Sequence, residues 1–176
     1  MESIDTAVGG RGVAAAPALP PVDLTGFTAA QVAFAAAAWP MRAAEELRSA
    51  LIFRALTRAA GAAQLPEPWT KRFAAMVLDE VGHARLCAAV GSRLGAERPR
   101  YDARPVRARL AALADPMVRT TGILLVEAAI GETISMVLFR VARRTVSEPL
   151  TRAVLTAILA DEVRHQRNGW TGMTAV

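Results

Sequence analysis

The chain contains two histidines, and both stand in the same local sequence. Segments 79–85 and 161–167 share the pattern D-E-V-x-H-x-R, 82 residues apart. Each histidine follows a glutamate by three positions, and residues three apart on an α-helix share a face. Each segment can therefore direct one carboxylate and one imidazole at the same metal ion. The repeated context indicates an internal duplication of a helix pair that carries Glu80 with His83 and Glu162 with His165.

Two further glutamates, Glu46 and Glu132, lie on apolar stripes of other predicted helices. Four unpaired carboxylates in one core would be strongly destabilising. No lysine lies near them, and two divalent cations would balance their four negative charges. An all-oxygen-and-nitrogen ligand set favours iron or manganese over a metal that prefers thiolate. The predicted metal-binding and catalytic residues are Glu46, Glu80, His83, Glu132, Glu162 and His165.

Glu127 is an alternative ligand, because it also lies on an apolar stripe of the third predicted helix. Glu132 lies 14 residues before the predicted end of that helix, as Glu46 lies 14 residues before the end of the first. Glu127 lies five residues further out, or about 7.5 Å along the axis. We therefore expect Glu132 to be the ligand, while Glu127 could still replace or supplement it.

Proline, glycine and capping signals divide the chain into elements. Residues 1–26 are predicted to be a flexible tail and residues 27–176 a single helical domain. A capping box at Thr28 predicts a short helix to Trp39. Long helices are predicted at 40–60, 66–95, 116–146 and 149–169, with a connection at 96–115. This spacing predicts an all-α fold, a four-helix bundle with one long crossover between helices 2 and 3.

The order Glu46, Glu80-x-x-His83, Glu132, Glu162-x-x-His165 resembles the ferritin-like di-iron carboxylate superfamily. The resemblance covers about residues 40–169. It implies a ferritin-like bundle with two iron ions, manganese or a mixed pair being alternatives, and O2 as co-substrate. It also implies that Asp79 and Asp161 accept the second N–H of the ligand histidines across the bundle. Solvated acids in a helical turn are the alternative for these two residues.

Several functions fit such a site. We expect a di-iron oxidoreductase that activates O2 to oxidise or oxygenate a small organic substrate. An external donor would supply the electrons. An iron-handling ferroxidase is the main alternative. An iron-storage cage is disfavoured, because the net charge of +5 would repel Fe²⁺ and because the sequence predicts no counterpart of the short fifth helix that cage-forming ferritins generally carry. An RNA-modifying di-iron hydroxylase ranks third, and nucleic-acid binding is not expected. A bundle with buried ion pairs such as Glu80 with Arg85, or one that has lost turnover, would be non-catalytic.

The composition of the chain limits the kinds of site that it can form and its cellular location. The single cysteine, Cys87, excludes a disulfide framework and a four-cysteine metal site, and we interpret it as a core residue. The sequence shows no signal-peptide pattern and no uninterrupted apolar run near the ~18 residues of a membrane span. We therefore expect a cytoplasmic protein without membrane contact, and a monomer or dimer.

Overall fold

A computed structural model describes residues 19–98 and 100–176, and within these ranges the chain forms helices and no strands. The helices are α1 (Ala29–Ala62), α2 (Glu67–Arg93), α3 (Arg104–Ala111), α4 (Pro116–Ile123), α5 (Glu132–Thr145) and α6 (Pro149–Gly172). A π-helical segment, Leu124–Gly131, joins α4 to α5, so that Pro116–Thr145 is one continuous helix. The predicted all-helical fold is confirmed.

The long helices pack in a closed order around a common core. α1 packs on α2, α2 on α6, α6 on the π-helical segment and α5, and α4 on α1. Buried apolar side chains form two clusters. Along α1, Ala43 belongs to one cluster and Phe53 to the other, and along α2 the same is true of Val90 and Phe73. The two clusters therefore leave a layer between them at mid-height, and the polar residues of the core occupy it.

The first helix differs from its prediction. It begins at Ala29, with the predicted capping box between Thr28 and Gln31, and continues through Pro40 to Ala62. The prediction that a new helix begins at Pro40 is therefore wrong. Proline has no N–H to donate inside a helix, but this ring packs against α2, where a Cβ on Gly91 would lie 3.4 Å from Pro40 Cδ. Packing between helices overrides the local signal here.

The predicted connection at 96–115 contains the eight-residue helix α3, which packs on α1. Its Val106 and Leu110 contact the apolar cluster around Phe53. The predicted tail falls mostly on residues 1–18, which lie outside the described part of the chain. Residues 19–26 contain no helix but are attached to the domain, since the N–H of Asp23 donates to Glu148 Oε1 at 3.1 Å.

The π-helical segment contacts α6 through two glycines. A Cβ on Gly169 would clash with the backbone carbonyl of Ala128, and a Cβ on Gly172 would lie 2.9 Å from Leu124 Cδ2. Glu132 is the first residue of α5, directly after the π-helical segment. Glu132 therefore enters the core immediately after the segment that α6 contacts closely. Short π-helical stretches occur frequently at functional sites.

Candidate metal centre

Four glutamates and two histidines meet in the layer between the two apolar clusters. Their side chains come from α1 (Glu46), α2 (Glu80 and His83), α5 (Glu132) and α6 (Glu162 and His165). All six are buried, and none is more than 6% exposed. The structure thus brings together every residue that the sequence pattern singled out as a ligand. Metal ligation by them stays a prediction.

The six residues form two overlapping groups, and each group could hold one cation. The groups are Glu46, Glu80, His83 and Glu162, and Glu80, Glu132, Glu162 and His165. Within each group, one ligand atom per residue lies within 4.8 Å of the others. Glu80 and Glu162 belong to both groups, whereas Glu46 and Glu132 each belong to one. Glu80 and Glu162 are thus available to a cation held by either group.

Several polar atoms in the cluster have no hydrogen-bond partner and are therefore available to bind cations. Nδ1 of both histidines, both oxygens of Glu80 and Oε2 of Glu162 are buried without a hydrogen-bond partner. Such atoms are rare, because buried polar groups are nearly always hydrogen-bonded. His165 Nδ1 lies 3.0 Å from Glu80 Oε1, and His83 Nδ1 lies 3.5 Å from Glu162 Oε1. Cations among these lone pairs would satisfy them.

The outer nitrogen of each histidine contacts an aspartate of the opposite motif. His83 Nε2 donates to Asp161 Oδ2 at 3.2 Å, and His165 Nε2 donates to Asp79 Oδ2 at 3.0 Å. An ionised carboxylate only accepts, so the proton is assigned to Nε2 and Nδ1 keeps its lone pair for a metal. Arg164 Nη2 donates to both aspartates at 2.8 Å. The hydrogen bonds across the bundle that the family resemblance implied are present.

Burial changes the protonation of the glutamates. It raises the pKa of Glu132 to about 8. Burial and the neighbouring Glu46 carboxylate raise the pKa of Glu80 well above its ordinary value. Burial and the hydrogen bond with Glu132 raise the pKa of Glu162. Without cations the cluster therefore holds protons near neutral pH, and cation binding must release them.

The pKa values of the two aspartates, Asp79 and Asp161, shift in the opposite direction. The hydrogen bond from His83 lowers the pKa of Asp161. Burial acts to raise the pKa of Asp79, but the hydrogen bonds from His165 and Arg164 outweigh it and lower the pKa. Both aspartates are therefore ionised at neutral pH and can hold the Nε2 protons of the histidines.

One charged neighbour was missed in the sequence pattern. Arg42 Nε donates to Glu46 Oε1 at 2.6 Å, and the Arg42 guanidinium lies 4.6 Å from the Phe139 ring centroid. Arg42 precedes Glu46 by four positions, the spacing of a helical ion pair, so this signal was available in the sequence. The Arg42 guanidinium therefore offsets one negative charge at the edge of the cluster.

Glu127 lies outside both groups. Arg48 Nη2 donates to both of its carboxylate oxygens at 3.0 Å, and Arg109 Nη1 lies 3.8 Å from Oε1. The structure thus places Glu132 with the other five candidates and Glu127 in an ion pair with α1.

Cys87 is fully buried, and burial raises the pKa of its thiol, so it packs in the core as an uncharged group.

Glu80 is fully buried, whereas the side chain of Arg85, five positions later on the same helix, is exposed, which argues against a buried ion pair between them. Comparison of the chain with protein-family models, with curated proteins and with solved structures finds no significant match. The resemblance to the ferritin-like superfamily therefore depends on the motif and on the geometry of these six side chains.

Proposed function

We propose that this chain is a ferritin-like di-iron protein, a four-helix bundle whose crossover runs between α2 and α4. The observation that carries the proposal is the sharing of Glu80 and Glu162 between two buried four-residue groups. A site for a single ion needs one such group, whereas two overlapping groups provide for two ions a short distance apart. Oxygen and imidazole ligands favour iron or manganese at both positions.

We further propose that the centre reacts with O2 and oxidises or oxygenates a small organic substrate. A pair of ferrous ions would supply the electrons for O2 reduction, and an external donor would restore them after each turnover. Glu46, Glu80, Glu132 and Glu162 would hold these ions, together with the two histidines that the two aspartates hold in a fixed orientation. Phe53 packs edge-on to His165, with ring centroids 6.0 Å apart, and helps to exclude water from the centre.

The test is anaerobic loading of the full chain with Fe²⁺, followed by exposure to O2. We expect close to two irons per chain and an optical change on oxidation that ends when those two irons have reacted. Glu132→Gln should lose iron, whereas the control Glu127→Gln should keep both. Stoichiometric binding of zinc with no uptake of iron would contradict the proposal.

The same experiment distinguishes the enzyme from a ferroxidase. An oxidase or oxygenase stops at about two irons per chain and consumes further O2 only when a reductant and an organic substrate are present. A ferroxidase continues to oxidise added Fe²⁺ and accumulates ferric iron well beyond two per chain. The second result would replace the proposed enzymatic function and leave the di-iron site itself intact.

A further inference from the structure

The continuous helix Pro116–Thr145 exposes an apolar face. Seven large apolar side chains between residues 125 and 141 are each 40–62% exposed: Leu125, Val126, Ile130, Ile134, Val137, Leu138 and Val141. Single exposed apolar residues are normal on a protein surface. A contiguous apolar patch of several hundred Å² marks an interaction site. The same helix is long and apolar enough to cross a membrane by length and composition alone, although Glu127 and Glu132 interrupt its apolar residues.

The spacing along this face is that of a helix–helix seam. Ile130, Ile134, Val137 and Val141 follow one another at intervals of four, three and four residues, which is the a/d pattern of a heptad. The buried residues Glu132 and Phe139 take the f positions of the same register and point to the core. The seam therefore lies on the opposite side of α5 from the metal centre, where no element of the described chain covers it.

We propose that this seam is the interface of a homodimer, in which two copies of the helix Pro116–Thr145 pack antiparallel around a two-fold axis near Ile134. A two-fold axis brings the same patch of both copies together, so that one apolar seam covers the other. A parallel pairing would instead place the basic residues Arg140, Arg143 and Arg144 of both copies side by side. Like charges at that distance repel, and the antiparallel arrangement separates them.

The exposed area is sufficient for such an interface. At their observed exposures the five side chains of this row between Ile130 and Val141, together with Trp170 of α6, present roughly 550 Å² per chain, so that complete pairing would bury about 1,100 Å², above the ~1,000 Å² expected of a specific interface. Trp170 of α6 extends the patch. It is 47% exposed, and its Nε1 donates to Thr133 Oγ1 of α5 at 3.1 Å. Tryptophan beside an apolar centre is a frequent source of binding energy in interfaces.

A second copy fits this face better than a bilayer does. The helix cannot leave the bundle to span a membrane, because its inner side carries Glu132 and packs on α6. A helix that lies in a membrane surface buries a broad apolar face in the lipid and keeps its polar face in water. Here the exposed residues of α5 are a narrow row of Ile, Val and Leu at knob spacing, which matches the grooves of a facing helix.

The test compares Ile134→Lys with a matched control, Phe34→Lys, in the full chain. Phe34 is 77% exposed on α1, far along the sequence from the seam. Light scattering and sedimentation should show a dimer for the wild type and for Phe34→Lys. Ile134→Lys should be monomeric, with a dimer dissociation constant raised at least about 100-fold, because the substitution buries two unpaired charges at the axis.

Helicity and iron content should be the same in all three proteins, since residue 134 lies on the side of α5 away from the metal centre. A failure of the dimer proposal is thereby distinguishable from a failure of the di-iron proposal. A monomeric wild type, or an Ile134→Lys variant that remains dimeric, would overturn the dimer. A wild type that is monomeric in buffer but floats with phosphatidylglycerol vesicles, while Ile134→Lys does not, would assign the face to a membrane instead.

A disulfide crosslink between the two copies tests where the two-fold axis lies. Ile134→Cys should oxidise to a disulfide-linked dimer, because residues at a two-fold axis between close helices come within disulfide reach. The buried, uncharged Cys87 does not compete for this reaction. Phe34→Cys, treated in the same way, should remain monomeric on a non-reducing gel. Equal crosslinking of the two variants would show that the seam is not the contact.

Discussion

His83 on α2 donates a hydrogen bond to Asp161 on α6, with 3.2 Å between Nε2 and Oδ2. His165 on α6 donates in the same way to Asp79 on α2. Each aspartate directly precedes a candidate ligand glutamate, so each copy of the motif supplies one carboxylate to the cluster and one to the histidine of the other copy. The repeated motif therefore supplies candidate ligands from each copy and the aspartate that holds the histidine of the other copy.

Removing the charge of Asp161 tests this support. In Asp161→Asn the amide can donate to His83, which shifts the imidazole proton to Nδ1 and removes the lone pair that faces the cluster. We expect metal affinity to fall about 10- to 100-fold, as is usual when such a partner is lost. A chelator competition measures it, with the exposed Asp102→Asn as the control. Wild-type affinity in Asp161→Asn would contradict this role.

Substitutions at the two histidines test the stoichiometry. His83 belongs to only one of the two groups and His165 to only the other. Each of His83→Ala and His165→Ala should therefore weaken one site and leave close to one tightly held iron per chain. Elemental analysis after gel filtration measures the number. Two tightly held irons in both variants would show that the histidines are not ligands.

Gly169→Ala tests the contact between α6 and the π-helical segment. The added Cβ meets the backbone of Ala128, so the helices must separate, at a cost of about 1–3 kcal/mol in the free energy of unfolding. The shift of the π-helical segment should also move Glu132 and lower iron content. The matched control is Gly82→Ala in α2, where nothing lies within 4 Å.

Gly82→Ala should leave iron content unchanged and stabilise the protein by about 0.5–1 kcal/mol, because alanine is the better helix former. Urea unfolding of both variants, with and without metal, measures the free energies. If Gly169→Ala were as stable as the wild type, the close packing of α6 on this segment would be refuted.

The metal-free protein should lose stability as the pH rises. The pKa of Glu132 is about 8 in the folded chain against an ordinary 4.5, and the pKa values of Glu80 and Glu162 are raised as well. Between these values the folded state binds more protons than the unfolded state, so the free energy of unfolding falls with increasing pH. Urea unfolding in a chelating buffer at pH 6 and pH 8.5 measures the decline.

Bound metal should reverse this trend, because the deprotonated carboxylates are then the ligands and proton competition weakens with pH. Glu132→Gln removes one titrating group and should flatten the decline in the metal-free protein. An equally steep decline in Glu132→Gln would show that other groups cause it.

The six candidate ligands could be predicted from the sequence because the information that selects them is local. Glutamate and histidine three positions apart share a helix face whatever the helix packs against, and the repetition of D-E-V-x-H-x-R at His83 and His165 makes a coincidence improbable. The preference for Glu132 over Glu127 came from heights along the helices, which depend only on the rise per residue. The all-helical fold followed in the same way from composition and periodicity.

The remaining features depend on contacts between elements that are distant in the sequence. Pro40 continues a helix because its ring packs against Gly91 of α2, although the local signal favours a helix start. The π-helical segment packs against α6, and Gly169 and Gly172 leave room for this close approach. Whether an apolar stripe faces the core or solvent depends equally on its neighbours. The row from Ile130 to Val141 is as apolar as a core stripe, and only the tertiary structure shows that it lies outside, because Glu132 and Phe139 occupy the inner side of the same helix.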